Sequence, residues 1–224
     1  MSVTMPVLIE AGTKGKKVVA YAQHWPGLER NGSRDEVALN KLATYFPRYA
    51  RIAERAGLTK EFAAEANVEL EVIERYIGTG GTEFWGISYA HSSIDYLPIT
   101  ADELDRQLAL LQSCWAEFDH FGSTVSSELK RGPRGGGRMR DEIVRHLLSV
   151  EVDWMGGLGL RYDFHDVIPL DARAAYHEDV VNTIRTFHAE EKLAKTWTIP
   201  FLIRHTAYHV MDHAWEMEDR DLSS

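Results

Sequence analysis

The sequence predicts an α+β protein, with a small N-terminal α/β part followed by a four-helix bundle. Three observations predict it. Short apolar runs separated by turn residues dominate the first part of the chain. Helical periodicity takes over from Thr100. The last helical segment contains HTAYHVMDH, where His205, His209 and His213 recur every four residues.

In chain order, Val7–Leu8–Ile9 is an apolar run, GTKGKK (12–17) is a turn with two glycines, and Val18 to Ala22 reads as a second strand. Together they predict a hairpin. HWPG (24–27) breaks that strand, and Leu28 to Asn31 can pair again. Ser33 followed by Glu36 has the spacing of a capping box. The apolar positions Val37, Leu39, Leu42, Ala43, Phe46 and Tyr49 then give a helix that Pro47 kinks or divides. Val68 to Ile73 alternates apolar and acidic residues, the pattern of a half-buried strand. Residues 78–97 hold Gly, Ser and aromatics without a sustained period and read as a connector that partly packs against a domain.

From Thr100 a first bundle helix sets Leu104, Leu108, Leu111, Trp115 and Phe118 on one side. LKRGPRGGGR (129–138) is a loop, since its glycines and proline exclude regular structure. RDEIVRHLLSVEVDWM forms a second helix ending at Gly156–Gly157, and a third runs from about Asp171 to Glu191. Pro200 opens the fourth, a tolerated place for proline. Four helices with short to moderate connections make a bundle, a fold that builds metal sites from facing helices. Taken together, the expected organisation is a domain over residues 1–77, a connector over 78–97 and a bundle over 98–224.

Composition bounds the function. The chain has 224 residues, 44% hydrophobic and 26% charged, with a net charge of −9. That acidity argues against nucleic-acid binding. No apolar run approaches the roughly 20 residues a membrane span needs, and the N-terminus lacks a signal-peptide core. The expectation is a cytoplasmic protein with no membrane partner. The single cysteine, Cys114, excludes an internal disulfide framework and a cysteine zinc knuckle, and its neighbours Leu111 and Trp115 make it a buried apolar residue.

The histidines are the chemical signal. Residues four apart on a helix drift by about 40°, so His205, His209 and His213 share one stripe. The outer two stand about 12 Å apart along the axis, so one ion can take either adjacent pair, and a third ligand must come from elsewhere. His146 on the second helix, beside the Ile143, Leu147 and Val150 face, is the best candidate. An all-histidine set suits Zn, Ni, Fe or Cu, and three protein ligands leave room for water or substrate. Ile203, Ala207, Val210, Ala214 and Met217 form an apolar seam about 120° from the histidine stripe, so the fourth helix buries two faces. Glu142 and Glu216 are candidate bases beside the ligands. Arg131, Arg134 and Arg138, in the glycine-rich loop entering the second helix, are candidates for holding an anionic substrate. His177 and His188 share a face of the third helix, solvated unless they find partners.

RDEIVRHLLSVE followed by HTAYHVMDHAWEM resembles the DinB/YfiT-like superfamily of metal-binding, antiparallel four-helix bundles, over about residues 98–220. The resemblance implies His146, His209 and His213 as ligands, with Glu216 where many members carry glutamine. His205 becomes an extra histidine one turn above the site, able to contact substrate or water. YAQHWPGLERNGSRDEVALNKL is similar to the HicB-like pattern over about residues 5–77, with Trp25–Pro26–Gly27 where leucine is usual. The resemblance implies a divalent ion, Zn or Ni first, and a metal-dependent enzyme acting on a small molecule. The enzyme would be a transferase or isomerase using a low-molecular-weight thiol, or a hydrolase. In it His205 or Glu216 would accept a proton, and Arg134 and Arg138 would hold a carboxylate. The alternative is a non-catalytic, metal-stabilised module for protein interaction or homodimerisation.

Overall fold

A computed structural model describes residues 3–62, 68–132 and 137–223. It is mixed α+β: a four-stranded sheet near the N-terminus, then a largely helical remainder. The chain forms two compact units, Met1–Ser113 with Ile203–Tyr208, and Cys114–Leu202 with His209–Ser224.

In the first unit, β1 (Val3–Ala11) and β2 (Val18–Ala22) form the expected antiparallel hairpin, pairing Val7 with Ala22 and Ala11 with Val18. The following turn depends on Gly27, whose φ of 93° lies in the left-handed region that glycine adopts without steric cost. It delivers β3 (Glu29–Gly32), antiparallel to β2. Pro47 divides the helical stretch into α1 (Asp35–Thr44) and α2 (Phe46–Arg55), and sits in the first turn of α2 where its missing N–H is not needed. The residue in the N-cap position of α1 is Arg34, not Ser33 as the capping-box spacing suggests, and no side chain caps it. β4 (Val68–Ile77) runs four residues beyond the expected strand. It pairs parallel to β1 through a register shift at Val7/Leu8, giving the order β3-β2-β1-β4. Tyr49 and Phe62 stack edgewise around Trp25, and the Tyr49 hydroxyl donates to the Pro26 carbonyl at 2.6 Å.

The connector is more ordered than its lack of periodicity suggests, because a buried carboxylate organises it. Glu10 on β1 is fully buried. It accepts from the Thr82 and Ser88 hydroxyls, the Tyr76 hydroxyl, and the Tyr89 and Ala90 amides. That satisfaction is what makes an interior carboxylate tolerable. Within this segment lie α3 (Gly80–Trp85) and a 3₁₀ turn at Ile94–Tyr96.

The four long helices are α4 (Ala101–Thr124), α5 (Arg140–Met155), α6 (Leu170–Ala189) and α7 (Ile199–Arg220). In the second unit, parts of all four meet. Glu151 of α5, almost fully buried, accepts from Trp115 Nε1 of α4 at 2.8 Å and lies 3.1 Å from His177 Nε2 of α6. Trp115 and His177 stack with centroids 3.9 Å apart, so His177 is not on a solvated face. Arg173 of α6 pairs with Asp119 of α4. Cys114 is buried, as expected, and desolvation pushes its thiol well above the usual range. No helix among the described residues is long and apolar enough to cross a membrane.

Candidate metal centre

Local sequence fixes the two helices that carry the candidate ligands. At the start of α5 the Met139 amide donates to Glu142 Oε2 at 2.8 Å, and Asp141 and Glu142 stand in the first turn, where the helix dipole favours acids. At the start of α7 the Thr198 hydroxyl accepts from the Phe201 amide, with Pro200 in the first turn. These caps set the positions of His146, near the middle of α5, and of His209 and His213 on α7.

The three imidazoles converge. Ring centroids are 5.4 Å apart for His146 and His209, 5.0 Å for His146 and His213, and 4.8 Å for His209 and His213. One nitrogen from each ring falls in a set whose members all lie within 4.8 Å of one another. Nitrogens on a tetrahedral ion at about 2.0–2.1 Å stand about 3.3 Å apart, so modest ring rotations would close the set on an ion. The donor chemistry fits a borderline divalent metal. His213 is buried, whereas His146 and His209 are half-buried, which leaves one side open.

Electrostatics favour ligation. Burial pulls the His146 pKa down to about 4, assisted by His213 and the Arg138 guanidinium and opposed by Glu216. The ring is therefore neutral at pH 7 and offers a lone pair. His213 Nδ1 lies 2.9 Å from Glu216 Oε2, and Glu216 Oε1 accepts from Arg220 Nη1. Burial would raise the Glu216 carboxyl, but the hydrogen bonds and charges of His213 and Arg220 outweigh it and hold the group below its ordinary value. An ionised Glu216 holds the proton of His213 on Nδ1 and turns Nε2 towards the shared space. That is how outer carboxylates orient histidine ligands.

The surroundings differ at the two ends of the site. Arg138, Glu142 and Glu216, with Gly137, line an open hollow of about 520 Å³. At the other end the Trp154 ring lies 5.1 Å from His209 and 5.7 Å from Trp197.

The expected ligands His146, His209 and His213 are thus brought together, with Glu216 against them and Arg138 beside them. His205 is placed elsewhere. It is fully buried in the first unit, where its Nδ1 lies 2.9 Å from the Ser88 carbonyl oxygen and its ring packs edgewise on Tyr89. Glu142 is engaged in capping α5, and Arg134 lies outside the described residues. Two neighbours of the site went unnoticed in the sequence. Arg220 had a signal, its four-residue spacing from Glu216. Trp154 had none, because its approach to His209 depends on how α5 and α7 pack.

No family model, curated protein or solved structure matches the chain. The reading of the site therefore rests on its own residues.

Proposed function

We propose that the protein binds one divalent metal ion through His146, His209 and His213 and uses it as an enzyme. The observation that carries this reading is the convergence of three imidazole nitrogens within 4.8 Å, on two separately capped helices. Three ligands favour catalysis over a purely structural role, since structural zinc sites close with four protein ligands. The half-buried His146 and His209 give a small molecule access. An all-histidine donor set of this kind suits zinc or nickel.

When bound, such an ion lowers the pKa of water or a thiol at its open positions, supplying a nucleophile near neutral pH. The remaining work belongs to the chain. Glu216 keeps the His213 proton on Nδ1. Arg138, exposed at the rim of the hollow, can hold a carboxylate or other anion on the substrate. We assign the reaction to the thiol-dependent transferase or hydrolase classes, with Glu216 acting through its hydrogen bond to His213.

Elemental analysis of protein purified without added metal, followed by loading with Zn²⁺ or Ni²⁺, tests the reading. About one ion per chain is expected in the wild type and none in His209→Ala. A wild-type protein that cannot be loaded would refute it. Consumption of small thiols in the presence of an electrophile, dependent on the ion, tests the reaction class.

A further inference from the structure

The geometry points to a substrate with a flat apolar body joined to its metal-binding group, the body lying against Trp154 and Trp197. This inference rests on the metal-binding reading above. Neighbours along the site fall in a fixed order. Glu142 and Glu216 line the charged hollow together, His146 meets His213 and His209, and Trp154 meets His209 and Trp197. On α5 the step from Glu142 to Trp154 is about 18 Å at 1.5 Å per residue. α7 follows it in the opposite sense, from Glu216 through His213 to His209. The three histidines therefore sit between a charged end and an aromatic end.

The aromatic end has the features of a contact surface. Trp154 and Trp197 are half-buried, unlike Trp215, Tyr176 and Phe118, which are fully enclosed in the same unit. The two indole planes meet at 64°, forming a corner in which a planar group lies on one ring face against the edge of the other, and Phe201 backs Trp197 with centroids 5.2 Å apart. Half-exposed indoles beside a ligand cluster offer a large, rigid surface for a planar group. The opposite end, with Arg138, Glu142 and Glu216, would desolvate charges against such a group, which fixes the direction in which the substrate lies.

The test uses two probes with the same chelating head, acetohydroxamate and benzohydroxamate, titrated by calorimetry into the full chain loaded with Zn²⁺. The wild type is expected to bind benzohydroxamate about tenfold more tightly. In Trp154→Leu that preference, read as the ratio of the two affinities, should shrink to about threefold or less. Trp197→Leu gives a second reading should the first variant fail to fold. Equal affinities in the wild type, or a preference that survives in both folded variants, overturn the proposal. Failure of Zn²⁺ to bind at all appears before any hydroxamate is added, and overturns the metal reading and this inference with it.

Discussion

Glu216 Oε2 stands 2.9 Å from His213 Nδ1, and the other oxygen of the same carboxylate takes a hydrogen bond from Arg220. One acid thus fixes both the orientation and the tautomer of the most buried of the three clustered histidines. Arg220 is in turn held to the chain after α4, its Nε donating to the Lys130 carbonyl at 2.7 Å while the Lys130 amide donates to the Arg220 carbonyl at 2.7 Å. The relay from backbone to arginine to carboxylate to imidazole leaves His213 little rotational freedom.

Neutralising the acid should loosen that hold without removing a ligand. Glu216→Gln is expected to weaken Zn²⁺ affinity by about 10–100-fold, the usual cost of losing an outer-sphere partner. Competition with a chromophoric chelator measures it, and an unchanged affinity would show that the carboxylate does not orient the ligand.

Metal should also stabilise the fold, since the site exists only in the folded chain. At a free ion concentration 100 times the Kd, the gain is about 2.7 kcal/mol, seen as a rise in Tm that a chelator reverses. His146→Ala and His209→Ala should each abolish the rise.

The buried charges of the first unit make a different prediction. Arg204 is buried, its guanidinium lies 2.8 Å from Asp95 Oδ2, and its charge sits 4.2 Å from the centre of the Tyr21 ring. Burial pushes the Asp95 carboxyl up, but Arg204 and Ser92 more than offset this and hold it below its ordinary value. Arg204→Met would strand that carboxylate in the interior, with an expected loss of about 3–5 kcal/mol in urea unfolding.

His205 links stability to pH. Its burial, reinforced by the neighbouring Arg204, pulls its pKa from 6.5 down to about 3 against the opposing bond to Ser88. Between those values the unfolded chain holds a proton that the folded chain does not, so stability falls as pH drops through this window. Above the upper value both states are neutral and the effect is absent. His205→Asn, whose amide nitrogen takes the place of Nδ1 and can still donate to Ser88, should show a shallower decline over this range, measured as unfolding free energy against pH. Parallel curves for variant and wild type would assign the acid sensitivity to other groups.

Local patterns foretold much of the fold. The β1–β2 hairpin followed from apolar runs around a glycine turn, the break between α1 and α2 from Pro47, and the long helices from apolar spacing, with Pro200 opening the last. The capping of α1 did not follow, because the helix begins one residue later than the spacing suggests, with extended backbone at Arg34 and no side-chain cap. Order in the 78–97 segment was hidden for a similar reason. It depends on Glu10, 72 residues before Thr82, and no local period records a contact at that distance.

By itself the sequence determined which side chains share a helix face. It set His209 and His213 one turn apart, with Glu216 and Arg220 on the following turns, because helical geometry alone fixes those relations. Packing decided the rest. The tertiary structure brought His146 of α5 to that pair, set Trp154 beside His209, and enclosed His205 against Ser88. A helical period ranks residues by face but says nothing of which face meets which, and that choice falls to the burial of side chains far apart in the chain.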